Sequence, residues 1–151
     1  MIKKSIPIIL ILASVCLFLL SAHAITSQGT GTQFSIDQLK QQASDYIKQN
    51  NMSDANMVIK TILTQYLNDA RQSIVVYDLA EACRNSSKFV QSIELYKFIL
   101  QNYSKSSQAM PSQRGIVVCS IALRKLDMAK KELEILKSNY SADPNLSQAL
   151  F

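Results

Sequence analysis

Two of the three cysteines, three regularly spaced tyrosines and one histidine are the residues whose chemistry this chain could put to use. Cys83 and Cys119 could form a disulfide, or could serve as two small buried apolar residues. They do not make a zinc site, which takes four nitrogen or sulfur ligands. The only histidine is His23, close to the start of the chain. No paired carboxylates stand beside a nucleophile in any motif, so acid–base and nucleophilic catalysis have no evident carriers. Gly29-Thr30-Gly31 is not a phosphate loop: no strand precedes it and no Lys-Ser/Thr follows at the needed position. Tyr66, Tyr103 and Tyr140 fall 37 residues apart. They could stack on a ligand, but such rings more often anchor a joint, apolar body inward and hydroxyl to water. The expectation is a non-enzymatic protein with no catalytic residue, metal or cofactor.

Compartment decides what those residues can do. Residues 1–24 have the three parts of a secretory signal peptide: Lys3-Lys4, an apolar run over residues 6–20, and Ala22-His23-Ala24 as the cleavage triplet. Cleavage is expected after Ala24, which places the mature chain in the periplasm or outside the cell. The alternative is an uncleaved anchor, although the run is at the short end of the about 20 residues a bilayer needs. Val15 precedes Cys16 where a lipoprotein requires a small residue, so a lipid anchor is not expected. Removing the segment takes away His23 and lowers the net charge from +5 to +3. That balance is too mild for nucleic-acid binding, which wants a clustered basic face. The excess base lies in residues 105–151, around Arg124-Lys125 and Lys130-Lys131. It is either a solvated face or a surface that meets acidic partners or anionic headgroups. Five Asn-x-Ser sequons, at Asn51, Asn85, Asn102, Asn139 and Asn145, are ascribed to a chain rich in Asn and Ser.

The elements that must position these residues are helices. Apolar residues recur at helical spacing and no stretch alternates with period two. Residues 25–34 read as a polar tether and residues 35–151 as one domain. Within it a frame returns every 37 residues: Met52, Phe89 and Leu126; Ala55, Ser92 and Ala129; Ile59, Tyr96 and Leu133; Ile62, Ile99 and Leu136. A fixed period in this range marks an array of helical hairpins. Ser35 and Gln38 have the spacing of a capping box, and Ser53 and Ser87 are candidate caps for second helices. Asn50-Asn51-Met52, Asn85-Ser86-Ser87 and a shorter 125–127 segment are the expected turns. Asp143-Pro144 ends the last long helix, and residues 145–151 are expected to cap the array. Cys83 and Cys119 then sit on first helices of neighbouring hairpins. Such helices pack about 8–10 Å apart, whereas a bridge needs Cα atoms within about 7 Å.

This frame resembles the tetratricopeptide repeat over roughly residues 36–146. The motif's small first-helix residue falls on Ala43, Ala80 and Val117. Its later positions fall on Phe89, Ser92 and Tyr96 in the middle unit. The first-helix Trp, the turn glycine and the terminal Pro are absent. The resemblance implies an all-α, right-handed α-solenoid of three hairpins, about residues 36–69, 73–106 and 110–143. In such arrays partners lie along the face of first helices. The matching positions here are Lys40, Ser44, Lys48, Tyr77, Glu81, Arg84 and Arg114. The set is polar and aromatic, suited to an extended peptide or a partner helix. It lacks the full Lys and Asn set of the chaperone-tail carboxylate clamp, since Ser44 does not fit. The phrasing around Tyr103 and Tyr140 is similar to the joints of periplasmic tetratricopeptide proteins, such as the TolA-binding family and the outer-membrane-assembly lipoproteins. The resemblance thus implies an adaptor that holds a protein or peptide in the bacterial envelope, with no nucleic acid and no small-molecule substrate. The alternatives are a membrane-anchored chaperone-like protein and a secreted effector.

Overall fold

Periodic apolar residues become six α-helices in the computed structural model, which describes residues 34–147. They are α1 (Ile36–Lys48), α2 (Met52–Gln65), α3 (Gln72–Asn85), α4 (Phe89–Asn102), α5 (Ala109–Ala122) and α6 (Leu126–Asn139). No strand occurs among the described residues, so the expected all-α class holds. The signal segment, most of the tether and the end of the expected C-terminal cap fall outside the described residues.

Local chemistry sets the helix ends. Ser35 opens α1 with the anticipated capping box: its hydroxyl accepts the Gln38 N–H at 3.2 Å, and Gln38 Oε1 accepts the Ser35 N–H at 2.8 Å. α2 is capped by Asn51 rather than Ser53, through the Asp54 N–H at 3.3 Å. Ser87 is not a cap either. It is the left-handed residue of a turn, at φ 59°, and Asn50 (59°) and Arg124 (57°) are its counterparts. Each of these turns closes with the same two bonds. Asn51 N–H reaches Tyr46 O and Asn50 N–H reaches Ile47 O; Lys88 and Ser87 do the same to Cys83 and Arg84, and Lys125 and Arg124 to Ser120 and Ile121. That is the Schellman stop of a helix. The third turn is therefore as long as the others, and the shorter 125–127 turn is corrected. Arg124-Lys125 has the composition of helix, yet Arg124 turns the chain.

The core runs through α1 to α5. Ile36, Leu39, Ala43 and Ile47 of α1 pack with Ile59 and Ile62 of α2, Val75, Val76, Leu79 and Cys83 of α3, and Ile93, Leu95, Tyr96 and Ile99 of α4. Small residues sit where helices approach. In the middle hairpin Ser92 donates to the Ala80 carbonyl at 2.8 Å, both fully buried. Two of the recurrent tyrosines tie down backbone, Tyr66 within the first hairpin and Tyr103 at the joint between the first two. The Tyr66 hydroxyl donates to the Phe34 carbonyl, and the Tyr103 hydroxyl lies against the Leu67 carbonyl at 3.0 Å and Gln72 Oε1. These hydroxyls are spent on the chain, not on water as expected.

The two joints close differently. At the first, α1 packs on α3, with Lys40 paired to Asp78 at 3.0 Å. At the second, α5 packs on α4 and scarcely touches α3. One register position accounts for this. Where α3 has Asp78, α5 has Gly115, whose bare Cα lies against the Tyr96 ring; a Cβ there would collide with it. Tyr96, fully buried, therefore fills the second joint from α4, and a gap opens between α3 and α5.

Candidate functional site: a charged cleft between α3 and α5

That gap is a cleft of about 160 Å³ lined by Tyr77, Glu81 and Arg84 of α3 and Pro111, Arg114, Gly115 and Val118 of α5. Helical spacing places the α3 trio on one face, and the same register places Arg114 and Val118 opposite. At its floor Glu81 is the hub. Tyr96 donates its hydroxyl to Glu81 Oε1, and Arg84 bonds Oε1 at 3.4 Å through Nε and Oε2 through a terminal nitrogen. The Tyr77 and Tyr96 rings stand 5.9 Å apart, tilted by 50°.

Electrostatics keep this hub charged. Burial by itself would raise the Glu81 carboxyl, but the bonds from Arg84 and Tyr96 and the charge of Arg84 outweigh it, and its pKa lies below the ordinary value. The bond to Glu81 holds Arg84 protonated more firmly still. Burial, then the bond to Glu81, pushes the Tyr96 phenol up, so it stays a donor. Tyr77 is raised by burial and by the nearby Glu81 charge. Arg84 is thus neutralised in place. Arg114 is exposed and has neither an ion pair nor a hydrogen bond among the described residues. The cleft is left with one uncompensated guanidinium beside an aromatic ring, an arrangement that can hold a carboxylate.

Of the seven groove positions expected from the sequence, four come together here: Tyr77, Glu81, Arg84 and Arg114. The other three lie elsewhere. Lys40 is occupied by Asp78, Lys48 reaches Asp45 at 3.7 Å, and Ser44 is half-buried on α1. Tyr96 and Gly115 were not among the groove positions that the repeat register picks out. A glycine in mid-helix was the available signal, since it weakens a helix by about 1 kcal/mol unless something needs the space. Cys83 and Cys119 are buried, free thiols, so the bridge is not present. They pack as small core residues. Cys119 Sγ lies 3.6 Å from Ser92 Oγ, and burial pushes the Cys83 thiol up to about 11.

A second cleft, about 250 Å³, lies between α2 and α4 and is lined by Ile59, Leu63, Leu95 and Phe98 with a polar edge that includes Glu94. It has no cation. No group of three or more metal-ligating side chains occurs among the described residues, and no helix there is long and apolar enough to cross a membrane. Compared with protein-family models, curated proteins and solved structures, the chain matches none.

Proposed function

We propose that this protein is an exported, non-enzymatic adaptor of tetratricopeptide type that holds a segment of a partner protein in the α3/α5 cleft. The observation that carries the reading is Arg114, a guanidinium without a partner among the described residues, at the rim of a cleft whose other charges are already paired. The signal-like residues 1–24 support export, and the recurrent hairpin turns at Asn50, Ser87 and Arg124 support a repeat array. The partner is a protein or peptide of the cell envelope.

Recovery of partners from an envelope fraction on wild type and on Arg114→Glu tests this. Arg114 is exposed, so the variant keeps its fold. Partner recovery is expected to drop at least tenfold, since charge reversal turns an attraction into a repulsion. Equal recovery removes the cleft from the account. N-terminal sequencing of the exported protein is expected to start at Ile25; a start at Met1 contradicts the removed signal.

A further inference from the structure

Beyond the cleft, the α5 stripe that holds Arg114 continues into apolar residues. Val118 and Ile121 follow Arg114 by four and seven positions, so all three share one face of the helix. Val118 is 39% exposed and Ile121 is 54% exposed, so both present aliphatic surface to solvent beside the cleft. In the equivalent register α3 has Glu81 and Arg84, which are paired to each other. The α5 stripe therefore differs from its neighbour in kind: a free cation at one end and bare aliphatic surface at the other.

We infer that the cleft recognises an extended segment carrying a carboxylate three residues from a large aliphatic or aromatic side chain. This rests on the cleft being the binding site. The spacing comes from geometry. Seven helical residues rise about 10.5 Å; three residues of an extended polyproline II chain rise about 9 Å and bring the side chain back to the same face, which the two-residue alternation of a β-strand does not. The carboxylate meets Arg114, with Tyr77 beside it. The apolar side chain covers Val118 and Ile121 and removes them from water. Charge complementarity selects the occupant, because the site's own carboxylate, Glu81, is already held by Arg84 and Tyr96 and cannot swing over to Arg114 without breaking both bonds.

The probe is a displayed library of random twelve-residue peptides, selected on protein purified from expression of the whole chain. Retained peptides are expected to be enriched in Asp or Glu three positions from Leu, Ile, Val, Met or Phe. The best of them, synthesised and followed by fluorescence anisotropy, is expected to lose about tenfold in affinity on Arg114→Gln and about tenfold on Ile121→Ser. Glu134→Gln, on exposed α6, is the control that leaves it unchanged. Retained peptides that depend on Arg114 but lack the spaced apolar residue, or that bind Ile121→Ser equally well, overturn the inference and leave the cleft standing. Enrichment at seven positions instead of three overturns the extended mode. Retention of no peptide, or binding indifferent to Arg114→Gln, overturns the cleft reading and the inference with it.

Discussion

Gly115 trades helix propensity for contact. In an open helix Gly→Ala adds about 1 kcal/mol of stability. Here the new Cβ would enter the Tyr96 ring, which is fully buried and has nowhere to move. Gly115→Ala is expected to lose about 1–3 kcal/mol in urea denaturation, the range of an overpacked core; a gain would contradict the packing described. Glu81 gives a prediction in pH. Its folded pKa lies below its ordinary value of 4.5. Its contribution to stability is therefore full above that value and fades as pH falls through the folded one. The stability difference between wild type and Glu81→Gln is expected to shrink from pH about 6 to about 3. A difference constant across that range would mean the carboxylate is not held by Arg84 and Tyr96. Glu81 and Arg84 were legible as groove positions because they sit on one helix. The Tyr96 bond was not, because it crosses from α4 to α3 and depends on how α5 seats against the ring.

At the scale of the elements, the hairpins and the turns at 50–52 and 85–87 were readable, but the third turn and the left-handed residue of each turn were not. Apolar spacing located all six helices, and the Ser35–Gln38 capping box was visible as a pair of residue types at the right interval. Without a glycine to mark it, the left-handed residue hides, because it is selected by backbone bonds rather than by its own side chain. Arg124 shows this: its own type and that of Lys125 favour helix, but the bonds to Ser120 and Ile121 impose φ 57°. A side chain in that region costs about 1–2 kcal/mol, which glycine avoids. Arg124→Gly is expected to stabilise the protein by about 0.5–1 kcal/mol after glycine's greater unfolded freedom is subtracted. Asn50→Gly is expected to gain less, since Asn tolerates the left-handed region better. Equal gains in chemical denaturation at both turns would contradict the account. The cysteines belong to this scale too. Both are buried on first helices, so native protein is expected to alkylate slowly at neutral pH and fully once unfolded.

Across the six described helices, the decisive property is that the two joints between hairpins close on different helices. The first closes through α1 and α3 and leaves the apolar cleft between α2 and α4. The second closes through α4 and α5 and leaves the charged cleft between α3 and α5. A single glycine in the place of Asp78's counterpart separates the two outcomes. Nothing in the 37-residue period announces this, because a period describes what repeats and the charged cleft lies where repetition fails. The two clefts make opposite predictions about contact with a partner. A photo-crosslinking residue at Val118 reports the charged cleft, and one at Glu94 reports the apolar one. With each introduced into the whole chain in cells, an adduct is expected from Val118 that disappears when Arg114→Glu is added, and none from Glu94. An adduct from Glu94 alone, or one from Val118 that survives Arg114→Glu, would contradict the cleft reading.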